Sequence, residues 1–175
     1  VWTAATLSPD SMSASIHVRT GDTVTVTESV IVDNAVVDSG AVVTVDGSPV
    51  VFTVANGADA VDMLVNGTLK VTGTAIASPG PYSVSLSTDA VLKFGATGVY
   101  QHDQNQGAIP VSVWEDGSTF MLTGVVSGSP ANGNQNFYNV IWDAPAQTSS
   151  LNLGWNGITI RGDITVVNTN TGRWQ

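Results

Sequence analysis

The chain has 175 residues, which sets the expectation of a single domain with a real core. Charged residues are only 11% and the net charge is −9, so solubility rests on Thr, Ser, Asn and Gln. With five Lys and Arg in all, composition argues against nucleic acid and against an anionic membrane surface. An anionic polysaccharide is disfavoured for the same reason, unless bound cations bridge the charges. The sequence has no cysteine, which removes disulfides, thiolate nucleophiles and Cys-based zinc sites and fits either the cytoplasm or a bacterial exterior.

Helix formers are scarce and β-branched Val and Thr dominate, which favours strand over helix. Apolar and polar residues alternate in "SIHVRT" (15–20), "DTVTVTE" (22–28), "VVTVDG" (42–47) and "FTVANG" (52–57). The same period continues in 63–73, 91–100, 119–125, 139–143, 150–154 and "ITIRGDITVV" (158–167). Gly21-Asp22, Asp33-Asn34, Ser39-Gly40, Asp46-Gly47, Asn56-Gly57 and Asn66-Gly67 punctuate the first half. The chain is therefore expected to be all-β. Short strands recurring with Gly or Asn corners predict a right-handed parallel β-helix, a solenoid whose inward Val, Ile and Leu stack from coil to coil. The alternative is a β-sandwich, because Asn-Gly also makes type I′ hairpins. After the Pro/Gly loop "SPGPYS" (78–83) the period loosens and large aromatics appear; this half continues the same domain with longer loops. No run of about 18 apolar residues occurs, and no signal-peptide pattern is visible. The ends, Val1-Trp2 and "NTGRWQ", suggest a single 1–175 module excised from a larger multidomain protein.

The stretches "SIHVRTGDTVTVTESVIVDNAVV", "MLVNGTLKVTG", "VLKFGATGVYQHDQNQGAIPVSVWEDGSTFMLTGV", "NQNFYNVIWDAPAQTSSLNL" and "ITIRGDITVVNT" resemble a recurrent β-helix segment of large secreted and surface proteins of type IX-secreting bacteria. Most of those proteins are uncharacterised, and some are linked to polysaccharide-binding or degrading modules. The resemblance implies a parallel β-helix, an extracellular location and flanking domains of a parent protein. It brings no catalytic residues.

Chemistry concentrates in "GVYQHDQNQGAIPVSVW" (98–114), where Tyr100, His102, Asp103, Gln104, Asn105 and Gln106 crowd together and Trp114 and Glu115 follow. His beside Asp suggests a general base, but on a strand the two point to opposite faces. The expectation is a solvated loop closed by Pro110, forming a ligand rim. There Tyr100 and Trp114 would stack on sugar rings while Asp, Asn and Gln bond the hydroxyls. Val111 is read as inward-facing and Trp114 as the better surface candidate. Trp142, sharing a face with Val140, and Phe137 are assigned to the core; Trp155 stays open between core and surface. "WDAPAQTSSLNLGWNG" (142–157) has a similar mixture.

Other candidates read more plainly. Asp33, Asp38 and Asp46 lie near corners and could contribute to a calcium site, but corner Asp is far more often an Asx turn. Lys70, Lys93, Arg19 and Arg161 are the main choices of base for a lyase, each isolated, with Arg161 outward on a strand. His17 is read as outward too. Thr23, Thr25 and Thr27 form no repeated Thr array of the ice-binding kind. No Gly-x-Ser-x-Gly elbow or phosphate loop occurs. The functional expectation is a non-catalytic, secreted carbohydrate-binding module without a cofactor. Its rivals are a structural or adhesin scaffold segment and a polysaccharide lyase or glycoside hydrolase.

Overall fold

The computed structural model of the protein describes residues 15–46, 49–73 and 83–175. Val1-Trp2, Gly47 and residues 78–82 of the Pro/Gly loop lie outside them. Among the described residues, nine strands lie in the first half: β1 (Ile16–Val18), β2 (Thr23–Val26), β3 (Val30–Val32), β4 (Ala35–Val37), β5 (Val42–Asp46), β6 (Val51–Val54), β7 (Met63–Val65), β8 (Thr68–Thr72) and β9 (Ser83–Leu86). Eight follow: β10 (Leu92–Phe94), β11 (Val99–Asp103), β12 (Val113–Trp114), β13 (Thr119–Leu122), β14 (Asn139–Asp143), β15 (Ser150–Leu151), β16 (Ile164–Asn168) and β17 (Arg173–Trp174). The described residues contain no helix. The expected strand over 158–167 is only partly formed, because residues 158–163 make no ladder and β16 begins at Ile164.

The strands form stacked sheets. Sheet I runs β1-β4-β7-β10-β12, sheet II β2-β5-β8-β11-β13-β14-β16, sheet III β3-β6-β9, and sheet IV β15-β17. Through β9 the chain visits sheets I, II and III in turn, and every strand pairing is parallel. The hairpin reading of Asn66-Gly67 therefore fails. These residues turn the chain from β7 in sheet I to β8 in sheet II. A Cβ on Gly67 would collide with the carbonyl oxygens of Ala41 and Asp38 in the preceding round, so only glycine lets the two corners approach.

Period-2 side chains meeting in register give columns. In sheet II, Val43, Leu69, Tyr100, Phe120 and Val140 lie one above another, and all are buried. Beside them runs Val45, Val71, His102, Leu122 and Trp142. In sheet I the column Val18, Val37, Val65, Phe94 and Trp114 thickens toward its C-terminal end. Sheet III contributes Phe52 beside Val30 and Val84, and Val54 beside Val32 and Leu86. Burying such side chains stabilises by about 1.5–3 kcal/mol each, and that burial is what orders strands only two to five residues long.

Candidate functional site

β11 carries the start of the polar block. It extends to Asp103, so the expected loop at 101–103 is a strand inside sheet II. Alternation then sorts the residues. Tyr100 and His102 point inward and are fully buried, and Gln104 just beyond is 2% exposed. Gln101 and Asp103 point outward. His102 and Asp103 take opposite faces, as strand geometry requires.

A histidine can occupy a core column between Val71 and Leu122 because both ring nitrogens are satisfied. Its Nε2 lies 2.6 Å from the Gln106 carbonyl oxygen. A carbonyl only accepts, so Nε2 carries the proton. Nδ1 is then the acceptor for the Tyr100 hydroxyl at 3.2 Å. Burial lowers the imidazole pKa to about 4, against weaker upward pulls from the Gln106 carbonyl and the Asp103 charge. Burial likewise pushes the Tyr100 hydroxyl well above its ordinary value. The result is a neutral imidazole locked in one tautomer, sealed from solvent.

The outward residues are tied to neighbouring rounds. Lys70 Nζ sits 2.7 Å from Asp103, and the Thr123 hydroxyl donates to the same carboxylate at 3.0 Å. Gln101 Nε2 donates to Thr123 Oγ1 at 3.2 Å. Partial burial alone would raise the Asp103 carboxyl; the hydrogen bonds from Lys70 and Thr123 and the Lys70 charge outweigh it and hold it below its usual range. Glu115 pairs with Lys93. His17 is outward, as expected, and bonds Asp38 at 2.7 Å.

Beyond β11 the loop 104–112 takes the place of a third-sheet strand. Gln106 and Gly107 both have positive φ, 64° and 75°, which turns the chain sharply. Asn105 Oδ1 accepts from the backbone amides of Val126, Ser127 and Gly128 at 2.9, 2.8 and 3.0 Å. Gln135 does the same work lower down. Its Oε1 accepts from the Ser112 amide at 2.9 Å and from Trp114 Nε1 at 3.2 Å, and its Nε2 donates to the carbonyls of Pro110 and Asn132 at 3.1 and 2.9 Å. Asn136 Oδ1 accepts from the Thr159 amide at 2.8 Å.

Trp114 overturns the surface expectation. It is 5% exposed, and its ring stacks on Phe94 with centroids 4.5 Å apart and planes 14° apart. Phe137 meets it edge-on at 5.1 Å. Parity explains this: Trp114 continues the inward column of Phe94, while Val111, expected inside, is 63% exposed. Neither Tyr100 nor Trp114 offers a free face to a sugar. Trp142 and Phe137 are core, as read from parity, with Trp142 Nε1 donating to the buried Gln147 Oε1 at 2.8 Å. Trp155 is partly buried against that core.

A different feature lies beside the predicted residues. An open groove of about 630 Å3 is lined by Val111, Ser112 and Trp114, by Asn134–Asn136, and by Thr159 and Arg161. Arg161 reaches across it, paired with Asp116, donating to the Trp114 carbonyl oxygen at 2.6 Å and lying 5.5 Å from the Tyr138 ring centroid. The signal was the amide run "NGNQN" (132–136). Among the described residues no cluster of three or more His, Asp or Glu could hold a metal ion, so Asp33, Asp38 and Asp46 do not converge. No protein-family model, no curated protein and no solved structure matches this chain.

Proposed function

We propose that the stacked sheets close into a right-handed parallel β-helix, and that this module is a non-catalytic structural segment of a secreted or cell-surface protein. The solenoid is supported by the cyclic order of the strands and by their uniformly parallel pairing; crossovers between parallel strands are right-handed in nearly all proteins. One observation carries the scaffold role. The polar residues of 100–116 bond adjacent rounds or their own turns. Asp103 bonds Lys70 and Thr123, Asn105 bonds 126–128, Glu115 bonds Lys93, and His102 is sealed against Gln106 and Tyr100. A seven-stranded sheet at about 4.8 Å per strand gives a rod about 29 Å long between its end strands.

Scattering and a glycan panel together test this reading. Small-angle X-ray scattering is expected to give an elongated particle; a spherical profile would overturn the solenoid. Incubation with soluble and insoluble polysaccharides is expected to give neither retention nor product. Product release that is lost in His102→Gln or Asp103→Asn would establish the enzyme instead.

The groove beside Arg161 favours a second reading, a carbohydrate-binding module. Asn134, Asn136, Thr159 and the Arg161 guanidinium supply donors and acceptors beside the exposed, apolar Val111. It predicts retention on a neutral glycan that Asn136→Ala and Arg161→Ala weaken and Glu115→Gln does not.

A further inference from the structure

Sheet II ends in two strands that each have one unpaired edge. Among the described residues, β2 pairs only with β5, and β16 only with β14. Ile164 and Val166 stand in register with the buried Val140 and Trp142, yet they are 50% and 51% exposed. They continue core columns, and among the described residues no strand lies beyond them. At the opposite end the same two columns begin with Val24 and Val26, which line an apolar cleft of about 330 Å3 together with Val18, Val32 and Phe52. Among the described residues, one end thus presents apolar knobs and an unpaired strand edge, and the other an apolar cleft and an unpaired strand edge.

We propose that these two ends dock on each other between copies of this chain. β16 of one copy pairs in parallel with β2 of the next, placing Ile164 over Val24, Thr165 over Thr25 and Val166 over Val26. The contact repeats the pairing that already joins β14 to β16 and β2 to β5, in the same columns and with the same β-branched residue type. Edge strands offer ready hydrogen-bond templates for such addition. The contact uses different surfaces on the two copies, so it propagates as a linear stack and does not close at a dimer. A net charge of −9 per copy opposes stacking, and salt screens that opposition. This docking rests on the solenoid reading, since only continuous columns align the two ends.

Sedimentation velocity over a concentration series, at low and high salt, tests it. The expected result is a sedimentation coefficient that rises with concentration beyond the dimer value, more steeply at high salt. Val166→Lys sets a charge on the exposed edge and is expected to abolish self-association. Added in small proportion to the unaltered chain, it should shorten the stacks, because its β2 end still docks. Val24→Lys blocks the other end, and an equal mixture of the two variants should stop at a dimer. Circular dichroism establishes that each variant is folded; if Val24→Lys is not, the shortening by Val166→Lys decides alone. A chain that stays monomeric at every concentration and salt overturns the docking, as does a Val166→Lys chain that assembles like the original. A monomer that is still elongated by scattering overturns the docking and leaves the solenoid standing.

Discussion

The rounds through β9 and those from β10 onward hold the same stack by different means. In the first, Val on Val fills the columns, and the third wall is a backbone ladder, β3-β6-β9. In the second, Phe94, Tyr100, Phe120, Phe137 and Trp142 fill the interior, and loops take over most of that wall, leaving the Ala108–Ala131 bridge and the short β15-β17 ladder. There the backbone groups lose ladder partners, and side-chain amides take over. Asn105 holds three amides, and Gln135 two carbonyls, one amide and an indole. A ladder needs only the right period. A wall of loops needs particular residues at particular places, which is why the polar block looks like a site.

Truncation should separate the halves most sharply. Trp142→Ala opens a large cavity and strands Gln147, and is expected to lower stability by about 3–5 kcal/mol. Val45→Ala, at the far end of the same column, should lower it by about 2 kcal/mol. Urea unfolding measures both; equal losses would erase the distinction.

The next test is acid. Burial holds the folded His102 pKa at about 4, below the ordinary 6.5, so between those values the unfolded chain binds the extra proton. This contribution is complete above pH 6.5 and is lost as pH falls toward 4, by roughly 3 kcal/mol at 1.36 kcal/mol per unit. His102→Leu should flatten the stability profile over that window. Persistence of the slope would assign it elsewhere. Asn105→Ala should cost about 1–2 kcal/mol, and hydrogen exchange should quicken at the amides of 126–128 while those of β3, β6 and β9 are unchanged. Smallest is Asp103→Asn, half-exposed and paired with Lys70. It should cost about 0.5 kcal/mol or less, and less still at high salt.

Much of this contrast was legible in the residues. Alternation in "DTVTVTE" and "NVIWD" fixed which side chains face inward, and Val140 with Trp142 followed directly. Gly-bounded short strands pointed to parallel stacking. What failed was parity across a break in the pattern. After Gly107 and Pro110 the chain re-enters sheet I with Val113 outward and Trp114 inward, and counting from Val111 gives the opposite answer. The polar block misled for a related reason. Local sequence shows donors and acceptors; it does not show that their partners lie about 20 residues away in the next round, as Asn105 and Val126 do. The groove beside Arg161 was hidden likewise, being assembled from three separate loops.

The parallel stacking also sets how the molecule yields under load. A pull along the stack reaches the ladders one after another, so strands peel off singly and the chain lengthens in steps. Releasing the 20 residues from Val99 to Thr119 pays out about 70 Å of chain, and the 31 from Thr68 to Val99 about 105 Å. Unequal strand spacings thus become unequal steps.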